Sequence, residues 1–277
     1  MAPSASSGDA VKVSVIVPTY KESKNVKALT ERLFKATRAA NIDAELVLVD
    51  DDSGQDTKDT LAIVEKLKNE GYNVRVRVRT KKEGKGLSSA VLVGLKETNR
   101  DYCLVMDADL QHEPESVPAV LAPVIKGEAD FAVGSRHVGG GVTSEDWPLV
   151  RRIISWGATA LARPLTSCSD PMSGFFALPR STLERAKYLN PTGYKIGLEL
   201  MVRCRCNKIV EVPIQFRDRE AGESKLTMKQ NLLYVAHLGR LYWFSYPALV
   251  IALIIFIIFM MFLVLFIMYQ IYITYYA

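Results

Sequence analysis

Histidine and cysteine are scarce in this sequence, with three histidines and four cysteines among 277 residues. Cys103, Cys168, Cys204 and Cys206 do not have the spacing of a zinc site, and Cys103 lies inside an apolar run. We therefore predict four reduced thiols in a reducing compartment. The basic residues form neither a stripe nor a nucleic-acid-binding motif, so the net charge of +5 points to a membrane surface or phosphate-bearing ligands and to no nucleic acid partner.

The beginning of the sequence lacks an apolar segment, whereas a long stretch near its end lacks charge. Residues 1–10 are mostly small and polar, which excludes a secretory signal there and predicts a flexible N-terminus. Residues 248–268 contain no charged side chain, and as a helix they would extend about 31 Å, the thickness of the hydrocarbon layer of a bilayer. We predict one transmembrane anchor at 247–269, followed by a short tail at 270–277.

The charges beside the anchor predict its orientation. Lys225, Lys229 and Arg240 precede it, and no charged residue follows it. Cationic residues near a membrane span remain on the cytoplasmic side. We therefore expect the main part of the chain in the cytosol, attached by a single span whose C-terminus lies across the membrane.

Apolar strands alternate with helical segments between residues 11 and 135. This order predicts an α/β fold with a mostly parallel, Rossmann-like sheet and helices on both faces, within a domain at 11–227. Ligands of such sheets bind at the carboxyl ends of the strands. Pro18, Asp51, Asp107 and Arg136 all lie at such ends, so one shared site is expected.

Two further segments have the pattern of amphipathic helices. Residues 228–246 lead directly into the anchor, and we predict that they form a helix in the membrane interface. Residues 151–163 suit a helix with Ile153, Trp156 and Ala160 on its apolar side. For this second helix, membrane contact and ordinary core packing are equally good interpretations.

Asp107, Asp109 and Gln111 directly follow an apolar run at 102–106. The two aspartates are two residues apart, so in an extended chain they project to the same side. Carboxylate and amide oxygens suit a hard divalent cation, Mg²⁺ or Mn²⁺, which can hold a diphosphate. Two solvated turn aspartates are the alternative for an isolated Asp-x-Asp, but the preceding strand and the matching segments elsewhere favour a metal site.

Six segments occur in an order that resembles the family 2 glycosyltransferases of the GT-A fold. They are Pro18–Glu22, Val49–Ser53, Asp107–His112, Gly134–Arg136, Asp170–Phe176 and Arg219–Leu226. The last two make the sequence most similar to members that transfer mannose from GDP-mannose to dolichyl phosphate with inversion. Such members make dolichyl β-D-mannosyl phosphate for protein glycosylation and GPI-anchor assembly at the endoplasmic reticulum membrane. The resemblance covers residues 11–226 and implies a GT-A catalytic domain facing the cytosol, with a lumenal C-terminus.

The resemblance also implies roles for individual residues. Donor binding would involve Pro18, Tyr20, Glu22, Val49, Asp51, Asp107, Ala108, Asp109, Arg136, Arg219 and Lys225. Metal binding would involve Asp107, Asp109 and Gln111, and binding of the acceptor phosphate would involve Arg136, Arg151 and Ser155. We expect Asp109, Arg136 and Arg219 to contribute most directly to catalysis.

Several of these residues also have simpler interpretations. Asp51 can form an ordinary Asx-turn, since it is one of three consecutive aspartates. Arg219 can pair with a neighbouring glutamate on a solvated loop, where such pairs contribute little. Arg151 and Ser155, four residues apart on one helical face, can touch anionic lipid head groups without binding the acceptor.

No residue stands out as a general base, and the implied acceptor explains why. Inverting sugar transfer to an alcohol normally needs a carboxylate that removes the hydroxyl proton. A lipid monophosphate is already an anion, so the site must instead hold two anions that repel each other, which requires cations and a metal. We therefore assign no catalytic base.

The single predicted span separates this sequence from other members of the family. Members that build polymers have several spans and a Gln-x-x-Arg-Trp motif, to which only Arg240–Trp243 is faintly similar. One C-terminal span resembles the single-subunit form of the mannose-transferring members, so we expect no obligate small membrane subunits. Two alternatives remain: a polyprenyl-phosphate glucosyltransferase that uses UDP-glucose, and a non-catalytic membrane-bound nucleotide-sugar binding protein.

Overall fold

The computed structural model describes residues 10–139, 149–186, 188–190, 195–215 and 228–276. The strands are β1 Val11–Thr19, β2 Ile42–Asp50, β3 Val74–Val78, β4 Tyr102–Val105, β5 Phe131–Ser135, β6 Phe176–Pro179 and β7 Ile209–Pro213. The helices are α1 Ser23–Ala39, α2 Gln55–Asn69, α3 Leu87–Lys96, α4 Val117–Ile125, α5 Leu149–Ala162, α6 Arg180–Leu183, α7 Ile196–Arg203, α8 Met228–Ser245 and α9 Pro247–Tyr276. Short 3-10 turns lie at Lys81–Glu83, Pro114–Ser116 and Arg163–Leu165.

The described strands form one seven-stranded sheet in the order β3-β2-β1-β4-β6-β5-β7. β1 pairs in parallel with β2 and β4, β2 with β3, and β5 with β7. Only β6 runs against its neighbours β4 and β5. The predicted mostly parallel α/β fold is therefore confirmed, while β6 and β7 are strands that the sequence pattern did not indicate.

The first strands are apolar on both faces because helices cover both sides of the sheet. Val15 and Leu46 belong to the cluster packed beneath α1, α2 and α4, whereas Ile16 and Val47 belong to the cluster beneath α3, α7 and α8. Gly94 of α3 lies so close to β1 that a Cβ atom there would meet a methyl group of Ile16 at 2.4 Å. This close packing fixes the strand ends that carry the polar motifs.

The C-terminal helix α9 differs from all other described helices. It has 30 residues, about 45 Å at 1.5 Å per residue. It is long and apolar enough to cross a membrane over Pro247–Tyr275, and none of its most apolar window is buried inside the protein. The helix continues to Tyr276, so most of the predicted tail is also helical. Pro247 begins it, a position that suits proline because no hydrogen bond is lost there.

Candidate active site

Four of the predicted motifs meet at one edge of the sheet. The carboxyl ends of β1, β2, β4 and β5 carry Pro18–Glu22, Asp50–Asp52, Asp107–Gln111 and Arg136. Because β6 is antiparallel to β4 and β5, the segment that precedes it, Asp170–Gly174, reaches the same edge. The strand order reverses at the boundary between β1 and β4, and such a switch point is where open α/β sheets bind ligands.

Three turns at this edge hold a non-glycine residue in the left-handed region of backbone conformation. The φ angles are 60° at Lys21, 36° at Asp52 and 60° at Leu110. Such conformations cost of order 1–3 kcal/mol each and cluster at functional sites. At Leu110 the turn brings the N–H group of Gln111 to within 3.2 Å of Asp109 Oδ1, to which it donates. The backbone therefore holds the predicted metal-binding turn in a defined shape.

Two of the three consecutive aspartates at the end of β2 have structural roles. Asp50 is fully buried, and its carboxylate accepts hydrogen bonds from the hydroxyls of Thr19 at 2.9 Å and Thr57 at 2.5 Å. These bonds tie together β1, β2 and the start of α2. Asp52 forms the Asx-turn of this segment, since its Oδ1 accepts the N–H group of Gly54 at 3.3 Å.

Asp51 has a different environment, so its interpretation as an Asx-turn is wrong. Both Nε and Nη2 of Arg79 donate to Asp51 Oδ1, with Nε at 2.6 Å, and the N–H group of Gly86 donates to Oδ2 at 2.7 Å. Arg79 is only 1% exposed and also donates to Ser89 Oγ at 2.7 Å. A buried ion pair with this many hydrogen bonds holds the carboxylate in one orientation.

Tyr20 lies at the rim of the site with two ammonium groups near its ring. The ring is 36% exposed, and the Nζ atoms of Lys21 and Lys85 lie 5.7 and 5.4 Å from its centroid. Lys85 also donates to the carbonyl oxygen of Asp52 at 2.8 Å. Such cation–π contacts place an aromatic face and positive charge side by side, which suits a ligand that has both a flat base and phosphates.

Three other predicted donor-binding residues are buried or half-buried at the sheet edge. Val49 is fully buried and Ala108 is 3% exposed, so their side chains pack in the core. Pro18 is half-buried at the end of β1. Glu22 accepts a hydrogen bond from Asn25 Nδ2 at 2.9 Å at the start of α1.

The predicted metal ligands combine an accessible and a buried carboxylate. The Asp107 side chain is 34% exposed, whereas Asp109 is 7% exposed. Gly174 faces Asp107, and a Cβ atom there would lie 3.1 Å from its Oδ2, so the glycine leaves space around this carboxylate. Among the described residues, no group of three or more His, Cys, Asp and Glu side chains could hold a metal. A cation at this turn would therefore depend on the two carboxylates and the amide of Gln111, an oxygen-only set that fits Mg²⁺ or Mn²⁺.

His112 supports this turn as a neutral side chain. It is 3% exposed, its ring lies 5.2 Å from the ring of Phe175, and its Nδ1 lies 3.5 Å from the N–H nitrogen of Asp107, which donates to it. Burial lowers the pKa of His112 to about 4, although the negative charge of Asp109 opposes this shift. The imidazole is therefore uncharged at neutral pH and positions Asp107 without adding positive charge.

Arg136 is held by a buried carboxylate. Its Nε and Nη2 atoms donate to Asp170 at 2.8 Å each, and its main-chain N–H group donates to the same side chain at 3.1 Å. Burial opposes ionisation of Asp170, but the hydrogen bonds and charge of Arg136 lower the pKa of this carboxyl below its usual value. Glu211 in turn accepts hydrogen bonds from the backbone of Ser169 and Asp170 at 2.8 and 3.2 Å. Arg136 is thus a fixed cation at the sheet edge.

Lys195 brings a further cation close to these groups. It directly precedes α7, and its Nζ donates to the carbonyl oxygen of Met172 at 3.2 Å. Burial and then the positive charge of Arg136 lower the pKa of Lys195 to about 8, while the charges of Asp107 and Asp170 partly oppose this shift. The ammonium group is therefore part of the same electrostatic site as the predicted metal turn and the predicted acceptor site.

Sequence reasoning missed Arg79, Lys85 and Lys195. Arg79 directly follows β3, and the signal that could have singled it out is this place at the carboxyl end of a strand. Lys195 follows a stretch without a clear pattern. Its role depends on the contact with Met172, 23 positions earlier, which no local signal reveals.

The side chains of four predicted site residues lie outside the described part of the chain. Arg219 and Lys225 lie outside the described residues, as do residues 1–9 of the predicted flexible N-terminus. Arg151 and Ser155 belong to α5, but their side chains lie outside the described part of the chain. Their predicted contacts with the diphosphate and the acceptor phosphate therefore remain predictions.

Comparison with known proteins identifies the family. Residues 14–186 match the model of the family described as glycosyl transferase family 2. The dolichol-phosphate mannosyltransferase of Mycosarcoma maydis is 42% identical over 249 residues, which cover 87% of this chain and 83% of that protein. That of Saccharomyces cerevisiae is 42% identical over 246 residues, which cover 86% of this chain and 90% of that protein.

A solved structure shares the fold. It is glucosyl-3-phosphoglycerate synthase from Mycobacterium tuberculosis in complex with Mn²⁺, UDP-glucose and phosphoglyceric acid. The TM-score is 0.58 at 21% identity, with 84% of this chain and 80% of that chain covered. The chain is therefore a glycosyltransferase that belongs to glycosyl transferase family 2 and, within it, to the dolichol-phosphate mannosyltransferases.

Proposed function

We propose that this enzyme transfers mannose from GDP-mannose to dolichyl phosphate with inversion, giving dolichyl β-D-mannosyl phosphate for protein glycosylation and GPI-anchor assembly. The similarity to two dolichol-phosphate mannosyltransferases along most of both chains carries the proposal. The geometry of the sheet edge supports it, because fixed carboxylates and cations gather at the switch point of the sheet, where such sheets bind ligands.

The donor binds across the carboxyl ends of β1, β2 and β4. Asp51, fixed by Arg79, accepts hydrogen bonds from the nucleoside, and Tyr20 lies beside the base. Asp107, Asp109 and Gln111 would hold Mg²⁺ or Mn²⁺, which would supply positive charge beside the leaving diphosphate. Arg219 and Lys225 donate charge-assisted hydrogen bonds to that diphosphate. The Mn²⁺ in the similarly folded synthase and the oxygen-only ligand set support this arrangement.

The acceptor phosphate binds on the other side of the switch point. Arg136 is preoriented by Asp170, and Arg151 and Ser155 of α5 complete the site. Because the lipid phosphate is an anion, transfer needs no group that removes a proton. The cations instead hold two negatively charged reactants in contact, which is where most of the barrier reduction arises.

The membrane attachment places the lipid substrate beside this site. The helix α9 provides a single anchor at 247–269 with a short lumenal tail at 270–277. Residues 228–246, which include α8, lie in the interface. The catalytic domain at 11–227 faces the cytosol at the endoplasmic reticulum membrane. Trp156 and Leu161 of α5 are 75% and 52% exposed, and large exposed apolar side chains on a helix next to a membrane span favour interface contact over core packing.

A donor panel tests the proposal. Purified full-length protein in nanodiscs with dolichyl phosphate should form labelled lipid product from GDP-[¹⁴C]mannose with Mg²⁺ or Mn²⁺ and none with chelator. GDP-glucose, UDP-glucose and UDP-mannose should give little product. Efficient transfer from UDP-glucose would instead identify a glucosyltransferase, and donor binding without transfer from any nucleotide sugar would identify a binding protein.

A further inference from the structure

Helix α8 carries an exposed apolar face next to the anchor. Leu232, Val235 and Trp243 are 71%, 57% and 52% exposed, and their spacing puts them on one side of the helix. Tyr234, on the opposite side, and Tyr242, at the edge of this face, fix the helix to the protein, since their hydroxyls donate to main-chain carbonyl oxygens of α5 at 2.7 and 2.8 Å. The exposed face of α8 is therefore held in a constant orientation.

A groove of about 430 Å³ lies where the end of α8 meets the end of α7. Its lining residues are Arg203, Ala236, Gly239, Arg240, Trp243 and Phe244. Trp243 lies four residues before Pro247, where the apolar helix α9 begins. The groove is therefore about one helical turn, or about 6 Å, from the start of the anchor.

The groove carries an excess of positive charge. The guanidinium carbons of Arg203 and Arg205 lie 4.7 and 5.9 Å from the ring centroid of Phe244, and Arg240 makes no ion pair with any other described residue. Among the described residues, Glu199 is the carboxylate bonded to this cluster, and it accepts a hydrogen bond from Arg203 Nε at 2.9 Å. The described part of the groove therefore has more guanidinium groups than carboxylates.

That carboxylate is directed into the protein and not toward the groove. Glu199 is fully buried, and it binds His237 Nε2 of α8 at 2.7 Å and the N–H group of Asn190 at 2.8 Å. Burial opposes its ionisation, but the hydrogen bond with His237 lowers the pKa of Glu199. The pair fixes α7 to α8, and the exposed side chains of Arg205 and Arg240 remain accessible to a ligand.

We infer that this groove binds the phosphate of an anionic membrane phospholipid. Guanidinium groups match the geometry of phosphate oxygens, and Trp243 marks the level at which tryptophan rings meet lipid head groups. The site differs from the acceptor site, since Arg203 ends α7 and Lys195, at the opposite end of that helix, faces the candidate active site. The inference rests on the proposed membrane attachment of α9 and not on the donor or acceptor.

Lipid binding to the full-length protein tests this inference. Detergent-solubilised protein is titrated with phosphatidylglycerol or phosphatidylcholine, and retained lipid is counted by native mass spectrometry. Wild type should retain one phosphatidylglycerol at concentrations where phosphatidylcholine is not retained. Arg205→Gln and Arg240→Gln should each weaken this retention about fivefold, since one arginine near an anionic surface has roughly that effect.

Arg38→Gln is the matched control. Arg38 also stacks on aromatic rings, at 5.6 and 5.2 Å from Phe34 and Tyr72, but it lies at the end of α1. This variant should bind phosphatidylglycerol like wild type. GDP-mannose binding, measured by calorimetry, should be equal in all variants, which excludes a general loss of fold.

Several outcomes would overturn the inference. They are equal retention of the two phospholipids, wild-type retention by both groove variants, displacement of phosphatidylglycerol by excess inorganic phosphate, or competition with dolichyl phosphate at the groove. The last result would make the groove part of the acceptor site. Failure of the wild type to transfer mannose, with phosphatidylglycerol still bound, would contradict only the proposed function.

Discussion

The sheet and the C-terminal helix α9 contain the same kinds of apolar residues, but the sheet buries them and α9 exposes them. Val15 and Leu48 of the sheet are fully buried, whereas Ile255 and Phe262 of α9 are 61% and 67% exposed. At the sheet edge, charged groups are buried and paired, as Arg79 is with Asp51. In α9 no charged residue occurs at all. The two regions are therefore built for different surroundings, one for a phosphate-bearing ligand in water and the other for lipid.

This contrast implies that the two regions have separate roles. Groups at the sheet edge are held by hydrogen bonds within the catalytic domain, and none of the described ones comes from α9. Substitutions at the edge should therefore change chemistry or donor binding without changing membrane attachment. Substitutions in α8 and α9, the membrane-side helices, should change membrane attachment without changing chemistry or donor binding.

The largest effect is expected from the metal turn. Asp109→Ala removes one oxygen ligand of the predicted cation, so kcat should fall at least about a hundredfold, while circular dichroism and membrane association stay as in wild type. Asp101→Ala, at the exposed opposite end of β4, is the matched control and should keep full activity. Full activity of Asp109→Ala in excess chelator would refute a metal at this turn.

The next effect concerns the buried ion pair of Arg79 and Asp51, beside the proposed donor site. Arg79→Met leaves the carboxylate of Asp51 buried without its cation, which should lower the free energy of unfolding by about 3–5 kcal/mol. GDP-mannose binding should weaken as well. Arg77→Met, in β3 two residues before Arg79, breaks solvent-accessible pairs with Glu83 and Glu97 and should lower the free energy of unfolding much less, because exposed ion pairs contribute little. Thermal unfolding of the two variants is measured with and without GDP-mannose. An equal loss of stability in both variants would contradict a special role for Arg79.

A smaller effect is expected from Lys195. Lys195→Met removes the ammonium group and its charge-assisted hydrogen bond, so kcat/KM should fall about tenfold or more. The pKa of Lys195 is about 8, and the amine is cationic below this value and neutral above it. In wild type, kcat/KM should therefore fall as the pH rises through about 8. Lys195→Arg keeps its charge, so this decline should move to higher pH; an unchanged decline in that variant would assign it to another group.

The smallest effect belongs to the membrane-side helices. Tyr242→Phe removes one hydrogen bond between α8 and α5, worth about 1 kcal/mol of stability, and should leave GDP-mannose binding unchanged. Tyr188, which is 81% exposed, offers the control Tyr188→Phe, for which no change in melting temperature is expected. A loss of donor binding in Tyr242→Phe would show that the two regions are not independent.

Apolar runs in the sequence predicted the strands whose position depends mainly on their own residues. The apolar runs before Pro18, Asp51 and Asp107 predicted β1, β2 and β4, and the polar residues that follow predicted where a site would lie. By contrast, β6 has only four residues and is antiparallel to both of its neighbours, β4 and β5. A strand this short takes its place from its neighbours and not from its own periodicity.

The partners of the site residues could not be predicted in the same way. Arg79 and Asp51 are 28 positions apart, and Arg136 and Asp170 are 34 positions apart. Which cation meets which carboxylate depends on the register of the sheet, which the sequence does not display. The sequence therefore predicted that Asp51 and Arg136 belong to the site, but not that each is held by a buried partner of opposite charge.

The most direct test of the division between the two regions is a chain that ends at Ser245, measured for both donor binding and transfer. It should bind GDP-mannose in the presence of Mg²⁺ or Mn²⁺ as wild type does. Transfer to long dolichyl phosphate in vesicles should fall about a hundredfold or more, because the anchor no longer raises the effective concentration of the lipid. Short, soluble polyprenyl phosphates should restore most of the transfer. A correctly folded truncated protein that cannot bind GDP-mannose would show that α9 is part of the catalytic core and would contradict this account.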